Sequence, residues 1–368
     1  MQMLMTPFNP SMQLSPHSRQ RTLAYHPPKG RFKLIYQGLI LPGLPAPLHY
    51  INFMSLIGQA KIPILYNKNI LKHKALDTAS VFVSSSPHLA GQLKSYSISE
   101  QCHFRSDAFN FDQQDVIQGY FPDFHFKRTD SALSVDLKVH TVNVLSHYTP
   151  LKWGVFEHWS LLCWCQGRVM FENHCYEVQG MGSFEYARSA HLPYMPVCFF
   201  THHVLNLTDQ LQVLLTQVRN QWNQIIYSRA DLRNLDGRVE SYKDNVFFQI
   251  QRVYPKVTTP NFKEMYLPRE FLWQVYVKDC LLLEVKGKSR GDFKFGLAAG
   301  YAGSFQFNAI YNNQHYKGEA GYIEYIDMRP LHWQEKDQSA LLELKNTEIQ
   351  PCIRLCCTNL SVKGFSAI

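Results

Sequence analysis

Residues 157–189 read EHWSLLCWCQGRVMFENHCYEVQGMGSFEYARS. Apolar and polar residues alternate through EHWSLLCWC, through Arg168 to Phe171 and from Tyr176 to Val178, with Gly167, Asn173 and Gly180 between the runs. A period of two marks strands, and Gly and Asn between short runs mark tight turns, so the stretch reads as part of an antiparallel sandwich or barrel. Upstream, Leu133, Val135, Leu137 and Val139 alternate with Ser134, Asp136, Lys138 and His140. Downstream, strand-like runs at 271–278, 280–285, 293–297, 304–311 and 322–326 are separated by Gly291, Gly296, Gly300, Gly303 and the Asn312–Asn313 pair.

The same stretch ends in Gly182-x-x-Glu185-Tyr186, and Gly321-x-x-Glu324-Tyr325 repeats it. GRVMFENHCYEVQGMGSFEY from Gly167 and GSFQFNAIYNNQHYKGEAGYIEY from Gly303 share one order: glycine, alternating strand, Asn-containing turn, Tyr176 or Tyr316, Gly180 or Gly318, then the motif. The expectation is one strand–turn–strand unit written twice, with each Glu and Tyr pointing the same way. One segment is ambiguous. Leu211, Leu214, Leu215, Val218, Trp222, Ile225 and Ile226 fit a helix after a Thr208–Asp209 cap, but VLNLTDQLQVLLTQV (204–218) also reads as two strands joined at Leu207–Asp209.

This arrangement resembles the lipocalin-like superfamily of AttH-type and carotenoid 1,2-hydratase-like proteins. The likeness lies in YFPDFHFKRTDSALSVDLKVH (120–140), in the opening stretch, and in residues 204–218, which match the first hairpin of a second unit. The resemblance implies an all-β chain of two tandem lipocalin-like antiparallel β-barrel or sandwich domains, and it favours strands over a helix at 204–218. The domains are expected at 29–192 and 193–368, after a disordered basic tail at 1–28. In the hydratase branch the corresponding strand carries an acid followed by His; here Glu185 and Glu324 are each followed by Tyr, so the acid is kept and the histidine is not.

The chain has 368 residues, 45% hydrophobic, 14% aromatic and only 18% charged, which excludes a disordered protein. Its net charge of +8 is unevenly placed. Nine basic residues precede the first acid, Asp77, leaving 28 basic against 29 acidic afterwards. Nucleic acid is excluded as a partner for want of a basic surplus in the body, whereas Lys29, Arg31, Lys33, Lys68, Lys72 and Lys74 suit weak contact with an anionic membrane surface. No secretory signal is visible, and prolines and polar residues within 34–60 exclude a membrane-spanning helix. The nine cysteines include no CxxC and read as buried thiols of a cytoplasmic, or membrane-peripheral, protein.

No P-loop, GxGxxG, GxSxG or HExxH is present. His202 and His203 adjoin without a third ligand, so neither a metal nor a cofactor is expected. Glu185 is the candidate catalytic residue: pointing into an apolar barrel, its pKa would rise and it would serve as a general acid. The competing role is structural, a carboxylate paired at a domain junction. Glu157-His158-Trp159 brings an acid, an imidazole and an indole onto one strand, with His158 on the opposite face from its neighbours. Trp153, His158, Trp159, Tyr186, Arg188, Glu324 and Tyr325 are the candidate ligand-binding residues. Two functions stay open: binding of a hydrophobic small molecule (a lipid, steroid or isoprenoid) in a barrel or at the domain junction, or an isoprenoid or steroid hydratase, cyclase or isomerase acting through a buried carboxylate.

Overall fold

The computed structural model describes residues 23–329 apart from 61, 63, 73, 88–90, 150–154 and 191–196. Eleven strands form the first sheet: β1 (Phe32–Pro42), β2 (Tyr50–Ile57), β3 (Thr78–Ser85), β4 (Gly91–Ser97), β5 (Cys102–Arg105), β6 (Ala108–Phe111), β7 (Asp115–Tyr120), β8 (Asp123–Arg128), β9 (Leu133–Thr149), β10 (Phe156–Phe171) and β11 (His174–Ala190). Their order is β4-β3-β2-β1-β11-β10-β9-β8-β7-β6-β5.

The second sheet holds β12 (Phe199–Asn206), β13 (Leu211–Arg219), β14 (Ile225–Asn234), β15 (Val239–Tyr242), β16 (Val246–Val253), β19 (Pro268–Val277), β20 (Cys280–Ser289), β21 (Lys294–Phe295), β22 (Tyr301–Tyr311) and β23 (Gln314–Asp327); β17 (Val257–Thr258) and β18 (Glu264–Met265) pair separately. Its order is β15-β14-β13-β12-β23-β22-β20-β19-β16, with β21 beside β22. In each sheet a four-strand meander comes first, and the last long strand returns to lie between the first strand and its own hairpin partner. β11 and β23 therefore hold the same place. Residues 204–218 are the β12–β13 hairpin, not a helix.

Both sheets are antiparallel and strongly curled, and the molecule is a tandem of two lipocalin-like all-β domains. Inward residues of each sheet make one core: Leu39, Phe53, Val81, Phe126, Trp159, Phe184 and Tyr186 in the first, Phe199, Leu215, Phe248, Trp273, Phe305 and Tyr325 in the second. Strands with one wet face alternate, as in β8, where Phe124, Phe126 and Arg128 are buried and their neighbours are not. Every residue of β2 and β3 is buried, and so is nearly every residue of β12 and β13. Their outer faces are covered because the two domains pack there. Ile40, Tyr50, Met54 and Phe82 of the first domain meet Val204, Leu214, Ala302 and Tyr322 of the second in a separate apolar cluster.

The segment 23–28 differs from the loose tail read from sequence. Tyr25 packs its ring at 5.2–5.8 Å from Phe109, Phe121, Phe124, Phe184 and Tyr186. Trp159 Nε1 donates to the carbonyl of Ala24 (3.2 Å), Tyr186 Oη donates to that of His26 (3.0 Å), and Gln37 Nε2 donates to Tyr25 Oη (3.2 Å). The gain from burying an aromatic ring in an aromatic-lined barrel outweighs the irregular sequence around it. Strand structure does begin at Phe32.

The expected boundary at 192/193 lies outside the described residues. No helix among them is long and apolar enough to cross a membrane. Among the described residues Cys102, Cys163, Cys165, Cys175 and Cys198 are free thiols, Cys163 and Cys165 being buried and Cys175 exposed.

Candidate functional site

Alternation along β11 and β23 decides where the repeated motif points. Phe184 and Tyr186 enter the first core, and Ile323 and Tyr325 enter the second. Glu185 and Glu324 therefore face outward, and outward here means into the junction between the domains. Glu185 is opposite Gly38 of β1 and Ser160 of β10; Glu324 is opposite His202 of β12 and Ala302 of β22.

An imidazole stands at each oxygen of Glu185. His202 Nε2, from the second domain, lies 3.2 Å from Oε1, and His158 Nε2, from the first, lies 3.4 Å from Oε2. Burial alone would raise the Glu185 carboxyl, but the charge of His202 and the contacts with both rings outweigh it and hold the group below the ordinary carboxylate range. Burial would likewise lower His202; Glu185, and behind it Glu324, hold its imidazole above the usual value. The pair is read as carboxylate and imidazolium.

Glu324 behaves oppositely. Burial lifts its carboxyl to about 7 against the pull of His202, and the charge of Glu185 adds to the rise. Tyr322 Oη donates to Glu324 Oε1 at 3.2 Å. Asn52 Nδ2, from the first domain, donates to Tyr322 Oη at 3.0 Å and so turns the phenol proton toward Glu324. Asn52 is itself fixed, its Oδ1 accepting from Ser84 N (2.6 Å) and Ser84 Oγ (2.8 Å). Tyr322 thus engages and orients one oxygen of the Glu324 carboxyl.

Behind Glu185 runs a buried chain. Ser183 Oγ donates to Glu185 Oε1 (3.3 Å), Ser160 Oγ meets Ser183 Oγ (2.7 Å), and Arg233 Nη1 of the second domain donates to Ser160 Oγ (2.8 Å). Arg233 also binds Gln212. Each domain therefore completes the other's carboxylate: His202 and Arg233 serve Glu185, and Asn52 serves Glu324. Asn206 Nδ2 donating to the Met181 carbonyl (2.9 Å) and Ser86 Oγ donating to Asp292 Oδ2 (2.6 Å) tie the same junction.

Tyr36, His158 and Glu324 keep accessible surface although the junction encloses them. The junction thus combines a carboxylic acid, a carboxylate, two imidazoles and phenols. Pairs of titratable groups whose environments push their pKa values apart mark acid–base sites.

Residues 54–340 match a family of unknown function, DUF6670. The chain belongs to that family. A search of curated protein sequences finds no match. This DUF6670 protein is similar in fold to an AttH-type protein (NE1406) from Nitrosomonas europaea, with a TM-score of 0.59, 14% identity, and 88% of this chain and 100% of that chain covered. It is also similar to kievitone hydratase from Nectria haematococca, with a TM-score of 0.52, 9% identity, and 80% and 89% covered. At these identities the likeness is one of fold, and it bears out the resemblance read from the sequence.

Of the residues singled out from sequence, the junction gathers Glu185, His158 and Glu324. His158 is on the outward face as read, but the second domain covers that face. Trp159 and Tyr186 stack in the first core, ring centroids 5.4 Å apart, and Tyr325 is in the second core. Arg188 donates to Glu157 Oε2 (2.8 Å) and contacts His26 at the barrel end. Trp153 lies outside the described residues. Glu185 does not point into an apolar barrel, so the expected upward shift falls on Glu324 instead. His202 and His203 sit on opposite faces of one strand and cannot share a ligand: His203 is in the second core beside Trp273 and Phe271. Among the described residues no group of three or more His, Cys, Asp or Glu is placed to hold a metal. Sequence reasoning missed Tyr36, Asn52, Tyr148, Arg233 and Tyr322. Only Tyr322 carried a signal, being next but one to Glu324 on the same strand face.

Proposed function

We propose that this protein is an acid–base enzyme that adds water to, or shifts, a carbon–carbon double bond of an apolar small molecule held at the domain junction. The observation that carries this reading is Glu324: an enclosed carboxyl with its pKa near 7, oriented by Tyr322, next to a carboxylate that is kept ionised. A general acid works best with a pKa near the operating pH. Glu324 gives its proton to one alkene carbon. Water attacks the other, forming the new C–O bond and releasing a proton to His158, whose ring stands against the Glu185 carboxylate. His202, in contact with Glu185 and cross-strand neighbour of Glu324, is placed to return it.

The partly exposed Leu93, Tyr227 and Leu297, at the edge of the interdomain apolar cluster, suit an isoprenoid or steroid skeleton. The fold neighbour whose name is a hydratase supports this chemistry without fixing the substrate. The test is incubation with a panel of terpenoid and steroid alkenes in 18O-labelled water, read by mass spectrometry. Labelled adducts or double-bond isomers formed by the native protein and not by Glu324→Gln support the reading. Ligands that bind and are recovered unchanged would leave a binding protein instead.

A further inference from the structure

Tyr148, near the end of β9, is 7% exposed, and its hydroxyl has no hydrogen-bond partner among the described residues. An unsatisfied buried hydroxyl carries a desolvation cost, so this one calls for an acceptor. Its ring is clamped. The ring centroid lies 4.6 Å from that of His158 and 6.2 Å, edge-on, from that of His202. The Arg229 guanidinium carbon sits 5.4 Å from its centroid, on the other domain. Arg229 cannot drift: Nε donates to both oxygens of Asp231 (2.8 Å each), Nη1 to the carbonyl of His147 (2.7 Å) and Nη2 to Ser241 Oγ (3.0 Å). The phenol is thus a preorganised donor beside the two imidazoles that flank Glu185.

Burial, and then the charge of Glu185, push the Tyr148 hydroxyl well above its ordinary value, so it keeps its proton and acts as a donor. The groups around it are Glu185, Arg233, Asp231 and Arg229. A donor held this way needs an oxygen acceptor from the ligand. A fixed neutral donor of this kind stabilises an oxygen that gains negative charge during the reaction, which a ligand hydroxyl does not do and a conjugated carbonyl does.

We propose that the substrate is an α,β-unsaturated ketone whose carbonyl oxygen accepts a hydrogen bond from Tyr148 Oη while its double bond reaches Glu324. This rests on the acid–base reading above and narrows it. In the balanced step, water forms a C–O bond at the β-carbon and passes one proton to the Glu185–His158 pair. The double-bond electrons move to the carbonyl oxygen under Tyr148, and Glu324 protonates the α-carbon as the carbonyl re-forms, giving a β-hydroxy ketone with no oxidant or reductant required.

The test uses β-ionone as the enone probe and limonene as a hydrocarbon probe, with the native chain, Tyr148→Phe and Glu324→Gln. Difference absorption spectroscopy reads the enone band, which moves to longer wavelength when the carbonyl accepts a strong hydrogen bond. The proposal expects a red shift on binding to the native chain and to Glu324→Gln. It expects Tyr148→Phe to lose the shift and bind β-ionone about five- to tenfold more weakly, while limonene binds native and Tyr148→Phe chains alike, showing the fold intact. Binding of β-ionone without a shift, or a shift that survives Tyr148→Phe, overturns the enone proposal and leaves the acid–base reading to its own test with Glu324→Gln. Failure of both probes to bind the native chain overturns the two together.

Discussion

Glu185 Oε1 of the first domain lies 3.2 Å from His202 Nε2 of the second. Both side chains are almost fully buried, so each charge depends on the other domain for compensation. Removing one partner of a buried ion pair costs about 3–5 kcal/mol, because the other charge is left uncompensated. His202→Ala is expected to lower stability by that order in denaturant unfolding, and Glu185→Gln combined with His202→Gln to recover part of it. Additive losses would mean the contact carries no coupling.

Glu324 gives stability a pH dependence of definite sign. Its carboxyl rises from 4.5 to about 7 on folding, so between those values the folded chain holds a proton that the unfolded chain has lost. Its contribution is full below 4.5 and is lost as pH rises through 7. Glu324→Gln, neutral throughout, is expected to exceed the native chain in stability by about 1–3 kcal/mol at about pH 8 and to match it at about pH 4. Thermal unfolding at the two pH values checks this.

Gly321 faces Phe305 across β23 and β22, and a Cβ added there would stand 2.3 Å from the ring. Gly321→Ala is expected to cost about 1–3 kcal/mol through overpacking, and Phe305→Leu to relieve part of that cost in the double variant. At Gly182 the nearest atom is the backbone carbonyl oxygen of Ile40 at 2.9 Å, which cannot swing aside. No second-site side-chain change is expected to rescue Gly182→Ala.

Tyr25 fills the aromatic mouth of the first domain. Tyr25→Ala is expected to cost about 2–4 kcal/mol and to open that core to an apolar fluorescent dye that the native chain excludes. Equal dye binding by both chains would mean the segment seals nothing.

The fold was legible because alternation in residues 124–189 and 271–326 is a local signal, and the two Gly-x-x-Glu-Tyr copies gave the matching strands. The same alternation put Glu185 and Tyr186 on opposite faces of one strand, but not which of those faces turns inward, so Glu185 was expected in a barrel and stands outside it. What covers an outward face was not legible either, since nothing periodic links Asn52 to Tyr322, 270 residues apart. Tyr25, set before prolines and basic residues, had no partner pattern in sequence to mark it as a core residue.

The central claim is that Glu324 holds a transferable proton near neutral pH. A 13C NMR titration of the glutamate carboxyls in the native chain and in Glu324→Gln tests it most directly. The account predicts one carboxyl resonance with a midpoint of about 7 that is missing from the variant. Titration of every glutamate at or below the ordinary 4.5, or persistence of the raised resonance in Glu324→Gln, would contradict it.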